Sequence, residues 1–195
     1  TVTANGKGDV YGIYANEGVT ISAPLDVKVG KNSETENRPV YGIYTRSGEI
    51  SLSGNDMAIT ATGGASSAYG VYNAANTSTA ITNNGNIDIS GKLTVNLNKG
   101  DSNDGIRTEG GVITLADATV NIPSNFASGI YNPKGNVVIK NSSNVTLSSG
   151  TSTGIGIYAK DGDLTIENST VTVSAKRLTA SVEKGRLTIK DSFVD

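Results

Sequence analysis

One short motif recurs along the chain and contains every tyrosine in it. It reads Tyr11-Gly12-Ile13-Tyr14, Tyr41-Gly42-Ile43-Tyr44 and Tyr69-Gly70-Val71-Tyr72. It continues as Asp104-Gly105-Ile106-Arg107, Ser128-Gly129-Ile130-Tyr131 and Ile155-Gly156-Ile157-Tyr158, with a degenerate copy at Leu178-Thr179-Ala180-Ser181. From glycine to glycine the steps are 30, 28, 35, 24 and 27 residues. A period of this size marks a solenoid, in which one unit cannot bury its own apolar face and must stack on the next.

Each copy of the motif is followed by two more alternating runs. The first is Val19-Thr20-Ile21, then Ile50-Ser51-Leu52, Ile87-Asp88-Ile89, Ile113-Thr114-Leu115, Val137-Val138-Ile139, Leu164-Thr165-Ile166 and Leu187-Thr188-Ile189. The second includes Leu25-Asp26-Val27, Met57-Ala58-Ile59, Leu93-Thr94-Val95, Val120-Asn121-Ile122, Val145-Thr146-Leu147 and Val171-Thr172-Val173. Alternation at period two predicts half-buried strands. Three short strands per unit, joined by turns rich in Gly, Asn, Asp and Ser, describe one coil of a parallel β-helix. No segment has a helical period, so almost no helix is expected. The predicted fold is all-β: a single solenoid domain over residues 1–195, with about six to seven coils of three strands each. Ile13, Val19, Ile21, Leu25 and Val27 are the expected inner positions of the first coil, with Thr, Ser, Asn, Asp and Lys outside. Stacked coils give a rod of roughly 30 Å whose two ends are strand edges.

Three insertions mark where loops leave the rod: residues 31–39, 74–85 and 98–103. Loops on a rigid scaffold are usual places for function, and equally for neutral insertion.

Composition excludes several chemistries. With no Cys and no His, the chain has no disulfide framework, no Cys/His zinc site and no His-dependent catalytic triad. A net charge of −2 gives no electrostatic case for nucleic acid. No apolar run reaches the length of a membrane span. The first residues show no basic region followed by an apolar stretch, so no signal peptide is expected. The abrupt ends read as those of a mature fragment or an excised piece of a longer chain. The absence of Cys and the polar, low-charge composition suit an extracellular bacterial protein.

Four surface features are candidates for function. With Ile13 inward, alternation places Gly12 and Tyr14 on the outer face. Tyr14, Tyr44, Tyr72, Tyr131 and Tyr158 then form a ladder beside a glycine ladder, a flat trough suited to stacking against sugar rings. The structural alternative is that like residues pile up because stacked coils repeat each position. In the fourth coil Arg107 replaces the tyrosine, with Asp101, Asp104 and Glu109 around it. Asp101, Asn103 and Asp104, with the glycine turn at Gly105, resemble part of a calcium loop, although Val112 stands where a full EF-hand loop needs an acid. An ordinary polar turn is the alternative. A column of Thr20, Ser51, Thr114, Thr165 and Thr188 has the form of an ice-binding array, but Asp88 and Val138 interrupt it and Thr is simply a good outward strand residue. The Asn-x-Ser/Thr sequons at Asn76, Asn141, Asn144 and Asn168 are expected by chance in this composition.

The recurring Gly-Ile-Tyr and Leu-Thr-Ile units resemble the right-handed parallel β-helices of bacterial secreted and surface proteins. Gly156-Ile157-Tyr158-Ala159-Lys160-Asp161-Gly162-Asp163-Leu164-Thr165-Ile166 carries the resemblance best. It implies the broad pectate-lyase-like superfamily of adhesins, autotransporter passengers, carbohydrate-binding proteins and polysaccharide lyases. Right-handed winding follows from that resemblance and from the usual crossover of parallel strands. Polygalacturonase-type members carry a Gly-His-Gly motif, which a chain without His lacks.

The function expected from these residues is that of a non-catalytic extracellular or cell-surface β-helix, adhesin-like or polysaccharide-binding. Its partner would be a polysaccharide or a host or cell-surface glycan, met by the tyrosine ladder and Arg107. No cofactor is expected beyond a possible calcium ion. The alternatives are a polysaccharide lyase or hydrolase centred on Arg107 and its acids, and a purely structural surface spacer.

Overall fold

The computed structural model describes residues 1–32, 35, 37–63, 67–75, 84–98 and 102–195. Among these residues there are strands and turns but no helix. The strands wind into a right-handed parallel β-solenoid of about 7 turns, with three strands per coil. Each coil gives one strand to each of three parallel sheets.

The first sheet holds Val2–Gly6, Leu25–Lys31, Met57–Thr62, Lys92–Asn98, Thr119–Pro123, Asn144–Ser148, Thr170–Ser174 and Phe193–Val194. The second holds the motif strands Val10–Ala15, Val40–Thr45, Ala68–Asn73, Asp104–Thr108, Ser128–Asn132, Ile155–Ala159 and Leu178–Val182. The third holds Gly18–Ile21, Glu49–Leu52, Ile87–Ile89, Ile113–Ala116, Val137–Lys140, Leu164–Glu167 and Leu187–Lys190. The degenerate copy at Leu178 is thus a true member of the motif sheet, paired in register with Ile155–Ala159.

Equivalent residues of successive coils lie directly above one another. Ile50, Ile87, Ile113, Val137 and Leu164 make one such column, and each is completely buried. Burying each of these aliphatic side chains contributes about 1.5–3 kcal/mol. The columns open at the rod ends: Leu187, next in that row, is 50 % exposed. In the first coil Val27 is buried, whereas Ile13, Val19, Ile21 and Leu25 are only partly covered because coils lie on one side of them alone. The outward column Thr20, Ser51, Asp88, Thr114, Val138, Thr165 and Thr188 is in continuous register.

The corners explain the Asn and Asp content. Between the third and first sheets the chain turns through residues of positive φ, among them Asp117, Asn141, Asn168 and Asp191. Their short polar side chains make this left-handed conformation tolerable without glycine. At the corner after the motif, buried Asn73 donates its side-chain amide to the carbonyls of Gly48 and Asn86 at 2.8 and 3.2 Å. Asn132 does the same for Gly111 and Asn136 at 3.1 and 3.0 Å. These turn carbonyls thereby gain a side-chain donor, and those of Gly48, Asn86 and Asn136 also accept a backbone amide from a neighbouring coil.

Candidate functional site

The motif strand does not alternate strictly, and this shapes the outer face. Val40 points inward and Tyr41 outward; Gly42 and Ile43 both turn inward; Tyr44 is outward and Thr45 inward. A Cβ on Gly42 would stand 2.2 Å from Ile59 Cγ2 and 2.6 Å from the Gly70 carbonyl oxygen. On Gly12 it would meet Val27 and Val29 side chains at 2.3 and 2.8 Å. The expectation that these glycines line the outer face beside the tyrosines is therefore corrected. They point into the core, against the side chains of the first sheet.

The break in alternation brings a second tyrosine of each of the first three motifs to the surface. Strict period-two reasoning missed Tyr11, Tyr41 and Tyr69. The signal was the placement of two tyrosines three apart around a Gly-Ile pair. The result is two parallel columns. Tyr11, Tyr41 and Tyr69 form one, with ring centres 5.0 and 5.1 Å apart and planes within 14° of parallel. Tyr14, Tyr44 and Tyr72 form the other, at 5.4 and 5.5 Å and within 10°. Between the columns the rings meet at 59–75°, as for Tyr41 and Tyr44 at 5.0 Å. These are the offset-stacked and edge-to-face geometries that the ring quadrupole favours. The ring faces are turned to one another along the rod. What meets solvent is ring edges and phenolic hydroxyls, with Tyr14 the most open at 49 %.

In the fourth coil the tyrosine pair becomes Asp104 and Arg107. Both hold the register, Asp104 beside Tyr69 and Ser128, Arg107 beside Tyr72 and Tyr131. The guanidinium lies 4.7 Å from the Tyr131 ring centre and 5.8 Å from those of Tyr69 and Tyr72, within cation–π range. Its Nη1 donates to Asp104 Oδ2 at 2.8 Å and its Nε to Glu109 Oε1 at 2.7 Å. The Tyr72 hydroxyl donates to the same Glu109 oxygen at 2.9 Å. Past Arg107 the outer column resumes with Tyr131 and Tyr158, 5.2 Å apart. The five tyrosines named from the sequence and Arg107 thus form one continuous row.

Burial pushes the Asp104 carboxyl above its usual range, and the hydrogen bond and charge of Arg107 with bonds from Ser128 recover only part of that. Burial also works against the Arg107 cation, yet its bonds to Asp104 and Glu109 hold its pKa above normal. The two shifts pull the pair in different directions. Two short N–H to carboxylate bonds decide for the ionised pair near neutrality. Desolvation is the first cause of raised phenol pKa values at Tyr11, Tyr41, Tyr44, Tyr72 and Tyr131; Tyr11 reaches about 12. At Tyr158 the hydrogen bond to Glu183 comes first, and the value is again about 12.

Of the residues read as part of a calcium loop, Asp101 lies outside the described residues. Asn103 is buried, its Oδ1 accepting from the Ala68 amide at 2.8 Å and its Nδ2 donating to the Asn125 carbonyl at 3.0 Å. Asp104 is held by Arg107. Asn103 thus ties one coil to another, whereas Asp104 pairs with Arg107 of its own strand. Among the described residues no group of three or more acids is placed to hold a metal ion. Most of the three sequence insertions also fall outside the described residues. Beside Tyr44, an open groove of about 500 Å³ is flanked by Arg46, Glu109 and Lys134. No described helix is long and apolar enough to cross a membrane.

Comparison with protein-family models, curated proteins and solved structures finds no match for this chain.

Proposed function

We propose that this solenoid is a non-catalytic extracellular or cell-surface domain of the adhesin type, whose tyrosine face binds polysaccharide. The observation that carries the reading is the double column of tyrosines on one outer sheet, six rings in the first three motif strands. Aromatic rings with phenolic hydroxyls supply both apolar edge and hydrogen-bonding groups, the pairing a sugar surface needs. The same likeness to pectate-lyase-like β-helices of bacterial surface proteins that the repeat suggested supports this setting.

The stacked rings favour a second reading, a structural spacer. Within each column the inner rings close their faces on their neighbours, so the columns hold coil to coil whether or not anything binds outside. Binding to a panel of soluble and insoluble polysaccharides, with and without calcium, separates the two. A binder loses affinity in the folded Tyr44→Ala/Tyr72→Ala double variant. A spacer binds none of the panel, and the double variant shows only a lowered melting temperature.

A further inference from the structure

We infer that the ligand of the tyrosine face is an extended β-1,4-linked polysaccharide chain lying parallel to the rod axis, with one sugar at each rung of the outer row. This rests on the glycan reading above and adds the linkage and direction of the chain.

The row has six rungs in continuous register: Tyr14, Tyr44, Tyr72, Arg107, Tyr131 and Tyr158. Neighbouring rings stand 5.2–5.5 Å apart, and Arg107 bridges the middle at 5.8 Å from Tyr72 and 4.7 Å from Tyr131. Because parallel strands repeat the same position coil after coil, the row runs along the axis. Closed ring faces leave no platform for a sugar lying flat between rungs. The outward groups are phenolic oxygens and ring edges, repeated at nearly constant pitch. The hydroxyl hydrogens of Tyr14, Tyr72 and Tyr158 are donated to Asn16, Glu109 and Glu183. Those phenolic oxygens therefore offer lone pairs to donors from outside.

A ligand that meets every rung must present a hydroxyl at the same interval, donating to the phenolic oxygens and accepting at Arg107, which has donors only. An extended β-1,4-linked chain of pyranoses advances by about one ring length per linkage, which is the pitch of this row. An α-1,4-linked glucan coils and leaves a straight row after a few units. Arg107 keeps the interval without adding positive charge to the row, because Asp104 and Glu109 together outweigh it by one negative charge. Each further rung engaged acts at the effective concentration set by the previous one, so affinity grows with chain length.

The test is calorimetric titration of the full chain with xylo- and cello-oligosaccharides from dimer to hexamer, against malto-oligosaccharides of the same lengths. At least one β-1,4 series should gain about tenfold or more in affinity from trimer to hexamer, with the malto series flat. Tyr44→Phe/Tyr72→Phe keeps the stacked rings and removes two outward oxygens, and should bring hexamer affinity down towards that of the trimer. Binding independent of length, or equal for both linkages, overturns the axial chain and leaves the glycan reading standing. Absence of binding to both β-1,4 series overturns this inference, and absence of binding to the wider polysaccharide panel as well overturns the glycan reading.

Discussion

Arg107 takes the place of a tyrosine ring in a stacked column, its guanidinium carbon 4.7 Å from the centre of the Tyr131 ring. A planar cation keeps the stack that a lysine would lose. Its companion Asp104 occupies the neighbouring column and is almost fully buried. Removing one member of such a pair leaves the other charge without its partner. Arg107→Ala should therefore cost about 3 kcal/mol in chemical denaturation. The double variant Asp104→Ala/Arg107→Ala should be more stable than Arg107→Ala alone, since no buried carboxylate is then stranded. If the costs of Asp104→Ala and Arg107→Ala simply add in the double variant, the pair is uncoupled.

Gly42 is small because of what faces it, with no unusual φ involved. A methyl group there would collide with Ile59 and with the backbone carbonyl of Gly70 in the next coil. The carbonyl belongs to a strand held on both sides and cannot yield cheaply. Gly42→Ala should destabilise the solenoid by roughly 1–3 kcal/mol, the usual range for overpacking. Gly8→Ala, where a Cβ would meet nothing, is the matched control and should leave the melting temperature unchanged.

The solenoid was legible in the sequence because its signal is repeated in every coil. Val, Ile and Leu at period two in the runs after each motif name the first and third sheets directly. The motif sheet was read only in part. Alternation placed Tyr14 outside correctly but put Gly12 on the same face. The structure instead turns Gly12 and Ile13 inward together and brings Tyr11 out. A break of this kind depends on contacts between sheets, Gly12 against Val27 and Val29, which no local pattern contains. The partners of Arg107 were close in sequence and were named. The buried amide roles of Asn73 and Asn132 were not, because they depend on turn carbonyls supplied by neighbouring coils.

Alkaline pH should unfold the rod through its tyrosines. Tyr11 and Tyr158 have folded pKa values of about 12 against the ordinary phenol value of 10.0. Raised values mean that the folded state favours the protonated phenol. Their contribution is thus fully present below pH 10 and is lost as pH rises towards 12. Denaturant midpoints should be flat up to about pH 10 and then fall. Tyrosinate absorbance should develop later in the folded protein than in denaturant. Tyr11→Phe and Tyr158→Phe together should reduce the alkaline loss.

Thr45 is completely buried, and among the described residues its hydroxyl oxygen is the one buried side-chain polar atom without a hydrogen-bond partner. It stands in register between Ala15 and Asn73, at the corner where Asn73 binds two turn carbonyls. An unsatisfied buried hydroxyl costs about 1–3 kcal/mol. Valine has the same branched shape without the polar atom and suits a strand at least as well. Thr45→Val should therefore raise stability by about 1 kcal/mol, visible as a higher denaturation midpoint with an unchanged slope. Thr108, at the same corner further along the rod, is the contrast: its hydroxyl donates to the Gly85 carbonyl at 2.6 Å. Thr108→Val should lose stability by a similar amount, because it leaves that carbonyl without its donor. If both variants shift the midpoint in the same direction, hydrogen bonding at this corner is not what sets its stability.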